Sequence, residues 1–256
     1  LYWVFTTDCP EGNYAEMRKS GALSAEDDHA GATKGMMAAM SDYRVWALFL
    51  VYGACFGVEL TINNIAAIYF FDRFDLSLAT AGVIAGLFGL MNIFARTLGG
   101  VFSDKFAAKG GLSGRVKFLF FALFVEGIAL VAFSMMDALV IAVAVMIVFS
   151  LFVQMSEGAT FGIVPFVNRK ALGSVAGIVG AGGNAGAVAA GFLFKSEALT
   201  YQEGLFYLGC AVIVCSFAAL AVRFSAATQA EEQQRFDRAH AERMSTSGSG
   251  QPVPAE

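Results

Sequence analysis

Histidine is scarce in this sequence, and its charge content is low. Its 256 residues include 2 His, 4 Cys and only 15% charged side chains, against 57% hydrophobic ones. Both histidines, His29 and His240, lie in polar segments. No His pair with zinc-type spacing exists, nor a Ser/His/Asp set, and this argues against an enzyme. Cys9, Cys55, Cys210 and Cys215 show neither metal-ligand spacing nor a paired framework. Three of them fall within apolar runs, as packing or lipid-facing thiols. No metal site, cofactor or nucleic-acid partner is expected. Ten-residue alternation is also missing, which excludes a membrane barrel of strands.

Soluble domains carry about 25% charged residues, and here the few charges are also segregated. They crowd into the first 44 residues, the stretch after Val222 and short gaps between apolar runs. Six runs reach the roughly 20 residues that a helix needs to cross a bilayer: 45–71, 78–102, 118–136, 138–164, 171–194 and 204–222. The fold class expected is therefore all-α integral membrane, with six transmembrane helices between residues 44 and 224 and the lipid bilayer as a partner.

The sequence opens on Leu1-Tyr-Trp-Val-Phe5, which reads as the end of a preceding helix with interfacial aromatics. On this reading the chain is the second half of a longer one. Residues 6–43, with acidic Glu26-Asp27-Asp28, read as a flexible cytoplasmic linker. Residues 225–256 read as a cytoplasmic tail, a charged stretch suited to a short surface helix followed by disordered Ser, Gly and Pro. Fourteen of the 17 Lys and Arg fall in the first polar segment, the second and fourth gaps and the tail. The other gaps hold only Arg73 and Lys195, and Arg96 is inside a run. The positive-inside rule then puts the linker and the C-terminus in the cytoplasm.

Ionisable groups inside the runs are expensive and need a reason. Arg96 shares one helical face with Gly82, Gly89 and Asn92. It either snorkels to the inner interface or lines a polar cavity, where its planar fork of donors suits a planar oxyanion. Tyr52, Glu59 and Asn63 form a second polar stripe, an aqueous path or an interhelical hydrogen-bonded cluster. A carboxyl in such a path carries protons, and Glu59 is the first candidate. Glu157, with Gln154 one turn before it and Thr160 just after, is the second. Glu126 stands among apolar neighbours and reads as a structural acid.

The fifth run packs six glycines into 173–186. Gly173/Gly177 and Gly182/Gly186 have GxxxG spacing, a general packing device in membranes. Asn184, inside the densest cluster with Gly180, Gly182 and Gly183, adds donors where a backbone or a small ligand comes close.

The second gap, Gly99-Gly100-Val-Phe-Ser-Asp104-Lys105 followed by Arg115, resembles the charged loop of the major facilitator superfamily. That resemblance implies a conformational latch made by Gly100, Asp104, Lys105 and Arg115. Further segments resemble the nitrate/nitrite porter family within it: Tyr52-Gly-Ala-Cys-Phe-Gly-Val-Glu-Leu60, Gly89-Leu-Met-Asn-Ile-Phe-Ala-Arg-Thr-Leu-Gly-Gly100, Glu157-Gly-Ala-Thr-Phe-Gly-Ile-Val-Pro-Phe166 and Gly180-Ala-Gly-Gly-Asn-Ala-Gly186. The family implies twelve helices in two halves, of which this sequence matches the second, with the missing N-terminal half closing the site. It implies nitrate or nitrite as substrate and proton symport by alternating access, in the plasma membrane. An accessory membrane subunit is a further candidate partner. Carried over by resemblance, Arg96 clasps nitrate, Tyr52 assists it, and Asn184 lies in the glycine signature, which departs mildly at Asn-Ala-Gly186. A transporter of another small anion and a non-transporting membrane scaffold are the rival readings.

Overall fold

The computed structural model describes residues 7, 12–20, 25–195, 198–232, 234, 235 and 238. The expectations for residues 1–5 and for most of the tail lie outside them, as does Cys9. The described elements are helical: α1 (Tyr14–Lys19), α2 (Ala25–Met40), α3 (Tyr43–Phe74), α4 (Leu78–Leu90), α5 (Asn92–Ser134), α6 (Leu139–Phe161), α7 (Val164–Val167), a 3-10 turn (Arg169–Ala171), α8 (Leu172–Lys195) and α9 (Tyr201–Ala221). Five helical segments among the described residues are long and apolar enough to cross a membrane. One of them, Leu78–Ser134, runs for 57 residues.

A straight helix of that length would extend for about 85 Å, nearly three bilayer cores. It does not stay straight. Gly111 sits at φ 58, ψ −149, inside what is otherwise continuous helix, a conformation that only glycine adopts without strain. The chain folds back there. The rings of Phe102 and Phe118 lie 6.0 Å apart, where a straight helix would separate them by about 24 Å. A Cβ on Gly114 would come within 2.7 Å of the Phe106 carbonyl carbon. Residues 92–110 and 112–134 are thus two arms, and α4 runs into the first through Met91, itself α-helical at φ −59, ψ −25. Both arms extend past the apolar runs 78–102 and 118–136, through Lys105, Lys109, Arg115 and Lys117.

Lipid tails are as apolar as leucine, so close packing rather than hydrophobic exclusion holds such helices together. Among the described residues, three further pairs of backbones touch where glycine removes the side chain. Gly57 of α3 lies against α8, where its Cβ would be 2.7 Å from the Ala187 nitrogen. Gly127 of the second arm and Gly209 of α9 face each other, each Cβ position about 3 Å from the other's carbonyl oxygen (3.0 and 3.1 Å). Gly99 of the first arm meets the Met155 backbone of α6, its Cβ position 2.7 Å from the Met155 Cα. Gly173 and Gly177, the other GxxxG pair, meet nothing within 4 Å.

The ends are capped. Asp42 accepts from the Arg44 amide (2.9 Å) and starts α3. Ser77 caps α4, and Thr200 with Glu203 forms a capping box on α9. Residues 6–43, expected as a flexible linker, instead hold α1 and α2. Alanine-rich composition favours helix there, Ala39 is fully buried, and a Cβ on Gly35 would sit 3.6 Å from that of Ala171. Cys55 is buried, while Cys210 and Cys215 are half-buried.

Candidate functional site

Arg96, Glu59 and Glu157 come from three different helices and meet at one guanidinium nitrogen. Arg96 Nη2 donates to Glu59 Oε2 at 3.0 Å and to Glu157 Oε2. The Asn92 and Gln154 side-chain amides both donate to Glu59 Oε1, at 2.8 and 3.0 Å. Glu59, Gln154 and Glu157 are buried, whereas the Arg96 side chain is 39% exposed. The cation therefore holds two carboxyls behind it and still presents an open side.

The backbone approach of α6 to the first arm makes this meeting possible. Gly158, next to Glu157, lies so close to Arg96 that its Cβ would be 3.0 Å from the Arg96 carbonyl carbon and 3.2 Å from the Gly100 nitrogen. The Arg96 guanidinium also lies 6.0 Å from the Phe56 ring centroid. Phe56 stacks on Tyr52 at 5.2 Å, and Tyr52 meets Phe161 edge-on at 5.0 Å. Gly183 of α8 packs against both rings, with Tyr52 Cε1 3.0 Å from its Cβ position. A small planar anion at Arg96 would thus find a cation, an aromatic wall and a backbone stripped of side chains.

The remaining candidates are distributed differently. Gly182 packs on the Phe49 backbone of α3, its Cβ position 2.9 Å from that Cα. It borders an apolar cavity of about 560 Å³ between α3, α8 and α9, whose lining does not include Arg96. Gly180 has nothing within 4 Å of its Cβ position, and Asn184 is exposed; both lie on the open face of α8. Asn63 is exposed at the next turn from Glu59, 3.7 Å from where a Gly89 Cβ would be. Glu126 is fully buried with neither carboxyl oxygen hydrogen-bonded.

Of the latch residues, Arg115 Nη1 and Asp104 Oδ1 pair at 2.6 Å. Arg115 also donates to Ser103 Oγ (3.3 Å) and stacks 5.1 Å from the Phe166 centroid. Lys105 lies over Phe102 at 5.2 Å instead of joining the ion pair. Gly100 has an open Cβ position, and the close approach belongs to Gly99 and Gly158. Those two, with Gly57 and the Phe56 ring beside Arg96, are packing positions that sequence reasoning passed over. The available signal was the i, i+4 glycine pair Gly53/Gly57 within α3, the same pattern that drew attention to α8.

No protein-family profile matches the chain. Individual relatives do. High affinity nitrate transporter 2.5 of Arabidopsis thaliana is 44% identical over 214 residues, covering 83% of this chain and 42% of the relative. High-affinity nitrate transporter 2.3 of Oryza sativa subsp. japonica is 40% identical over 223 residues, 86% of this chain and 42% of the relative. Nitrate transporter 2.2 of Chlamydomonas reinhardtii is 41% identical over 200 residues, 77% and 38%. The chain spans about two fifths of the length of these curated relatives. With such identity over most of its residues, the chain belongs to the nitrate/nitrite porter family of high-affinity nitrate transporters, as a segment shorter than a whole member.

Proposed function

We propose that this chain is the C-terminal half of a proton-coupled nitrate transporter and supplies half of its substrate site. In this reading the two arms that meet at Gly111 are separate crossings, which with the other four long helical segments make six. Six helices are one half of a twelve-helix major facilitator fold, with the other half closing over the open sides of Arg96 and α8. One observation carries the reading: an arginine inside the apolar helices, held by two carboxyls on one side and accessible on the other. Its guanidinium offers paired N–H donors that match a planar oxyanion.

In this scheme Arg96 binds nitrate or nitrite, with Tyr52 and Gly183 forming the adjoining wall. Asn184 and Gly180 face the partner half across the cavity, and Gly182 sets the α3–α8 distance. Glu59 and Glu157 carry protons, because nitrate entering a negative-inside cell works against about 2.3 kcal/mol per 100 mV. The two halves rock around the site, and the Asp104–Arg115 pair latches one end of the excursion. That end and the tail then face the cytoplasm of a plasma-membrane protein, an orientation that the Lys and Arg distribution supports.

The test is nitrate uptake into proteoliposomes by the full-length protein. Nitrite should compete with nitrate, while phosphate and sugars should not. Saturable nitrate uptake by residues 1–256 alone would contradict the division of the site between two halves.

A further inference from the structure

We infer that nitrate binds only the form of this site in which Glu59 and Glu157 are both neutral, so that protons and nitrate are linked through competition for Arg96. The inference rests on the nitrate-transport reading above and specifies how that site couples its two cargoes.

Geometry and charge count both lead to it. The two carboxyls accept from the same nitrogen, Arg96 Nη2. Their oxygens therefore lie no farther apart than two hydrogen-bond lengths, about 6 Å. With both ionised, the cluster carries one positive and two negative charges, and a monoanion is repelled. One proton makes it neutral, and a second leaves the single positive charge of Arg96 to match a single nitrate. Among the described residues, the other titratable side chains whose charge reaches the pair are Tyr52 and Cys55 of α3 and Glu126 of the second arm. None of these contributes a cation. Asn92 and Gln154 donate to Glu59 alone. They hold its carboxyl in place when Arg96 leaves, which makes them positioning residues. Glu157 Oε1 has no partner and is buried, so Glu157 depends on Arg96 or on a proton of its own.

The cycle balances. Each carboxylate takes a proton from water on the side where the site opens and stops competing for Nη2. Nitrate oxygens accept the freed N–H groups. On the opposite side nitrate leaves, Arg96 returns to the carboxylates, and the protons pass to water. Arg96 is never left without an acceptor.

The experiment is calorimetric nitrate titration of the purified full-length protein, in two buffers of different ionisation enthalpy, at acid and alkaline pH. Net proton uptake should accompany nitrate binding at alkaline pH. Affinity should fall as pH rises, by about tenfold per pH unit for each linked proton. Glu59→Gln should still bind nitrate at acid pH, with a pH slope lower by about that tenfold. Nitrate binding with no proton uptake and equal affinity across the range overturns the inference and leaves the transport reading standing. No nitrate binding at any pH overturns the transport reading, and the inference with it. The native protein's two-buffer measurement decides the matter even where the variant does not fold.

Discussion

Gly158 sits against the backbone of Arg96, its missing Cβ only 3.0 Å from the Arg96 carbonyl carbon. This approach brings Glu157, the preceding residue, to the guanidinium. A methyl group there meets backbone rather than a movable side chain, so the helices must separate. Overpacking of this kind costs about 1–3 kcal/mol. Gly158→Ala in the full-length protein should lower the melting temperature and impair nitrate transport together. Gly173→Ala, at a position with nothing within 4 Å, should do neither. Equal behaviour of the two variants would remove the close approach from the account.

The latch pair invites a double-mutant cycle. Arg115 is 15% exposed and stacked on Phe166, while Asp104 is 69% exposed. An ion pair with one partner that open is worth about 0–1 kcal/mol. The coupling energy between Asp104→Ala and Arg115→Ala should fall in that range. Arg115→Ala alone should cost more, because it also removes the ring contact and the Ser103 hydrogen bond. Thermal melts of the four proteins measure both. A coupling energy above the cost of Arg115→Ala would mean that the pair, not the ring, anchors the loop.

Arg96, Glu59 and Glu157 were legible in the sequence because charge inside an apolar run is costly and therefore conspicuous. Asn92 was legible from its place on the Arg96 face, and Gln154 from its place beside Glu157. Their convergence was not, since periodicity reports a face within one helix and says nothing about which faces meet. The glycines show the same limit. Their density in α8 was visible, but only packing separates Gly182, Gly183 and Gly186, which touch α3, from Gly173, Gly177 and Gly180, which touch nothing. Gly111 was one glycine in a polar loop until its φ of 58 made it the point of reversal. Helix α2 was hidden because its alanines are interspersed with glycines and the acidic run Glu26-Asp27-Asp28, a mixture shared by linkers.

The start of α3 gives a prediction that depends on pH. Burial pushes the Asp42 carboxyl up, but hydrogen bonds from the Arg44 side chain and backbone outweigh it and hold the group below the usual carboxylate range. A depressed value means that the stabilisation is present above the unfolded-state pKa, about 3.9, and is lost as pH falls through the folded-state value. Asp42→Ala should cost about 1 kcal/mol at neutral pH, and the difference from the native protein should shrink in strong acid. Asp42→Asn, which still accepts from the Arg44 amide, should cost less. Melting curves at both pH values check the order, and a penalty for Asp42→Ala that is undiminished in acid would rule out the charge as its source.

The central claim is that Arg96 binds the anion, and direct nitrate binding to purified full-length variants tests it. Lys keeps the positive charge but loses the planar fork, whereas Gln loses the charge and keeps some donors. A charge-assisted hydrogen bond contributes about 1.5–3 kcal/mol, or about one to two powers of ten in affinity. Arg96→Lys should weaken nitrate binding by about that factor and Arg96→Gln by at least as much, with both proteins still reaching the membrane. If Arg96 only snorkels to the interface, Lys serves equally well. Native nitrate affinity in Arg96→Lys would contradict the account.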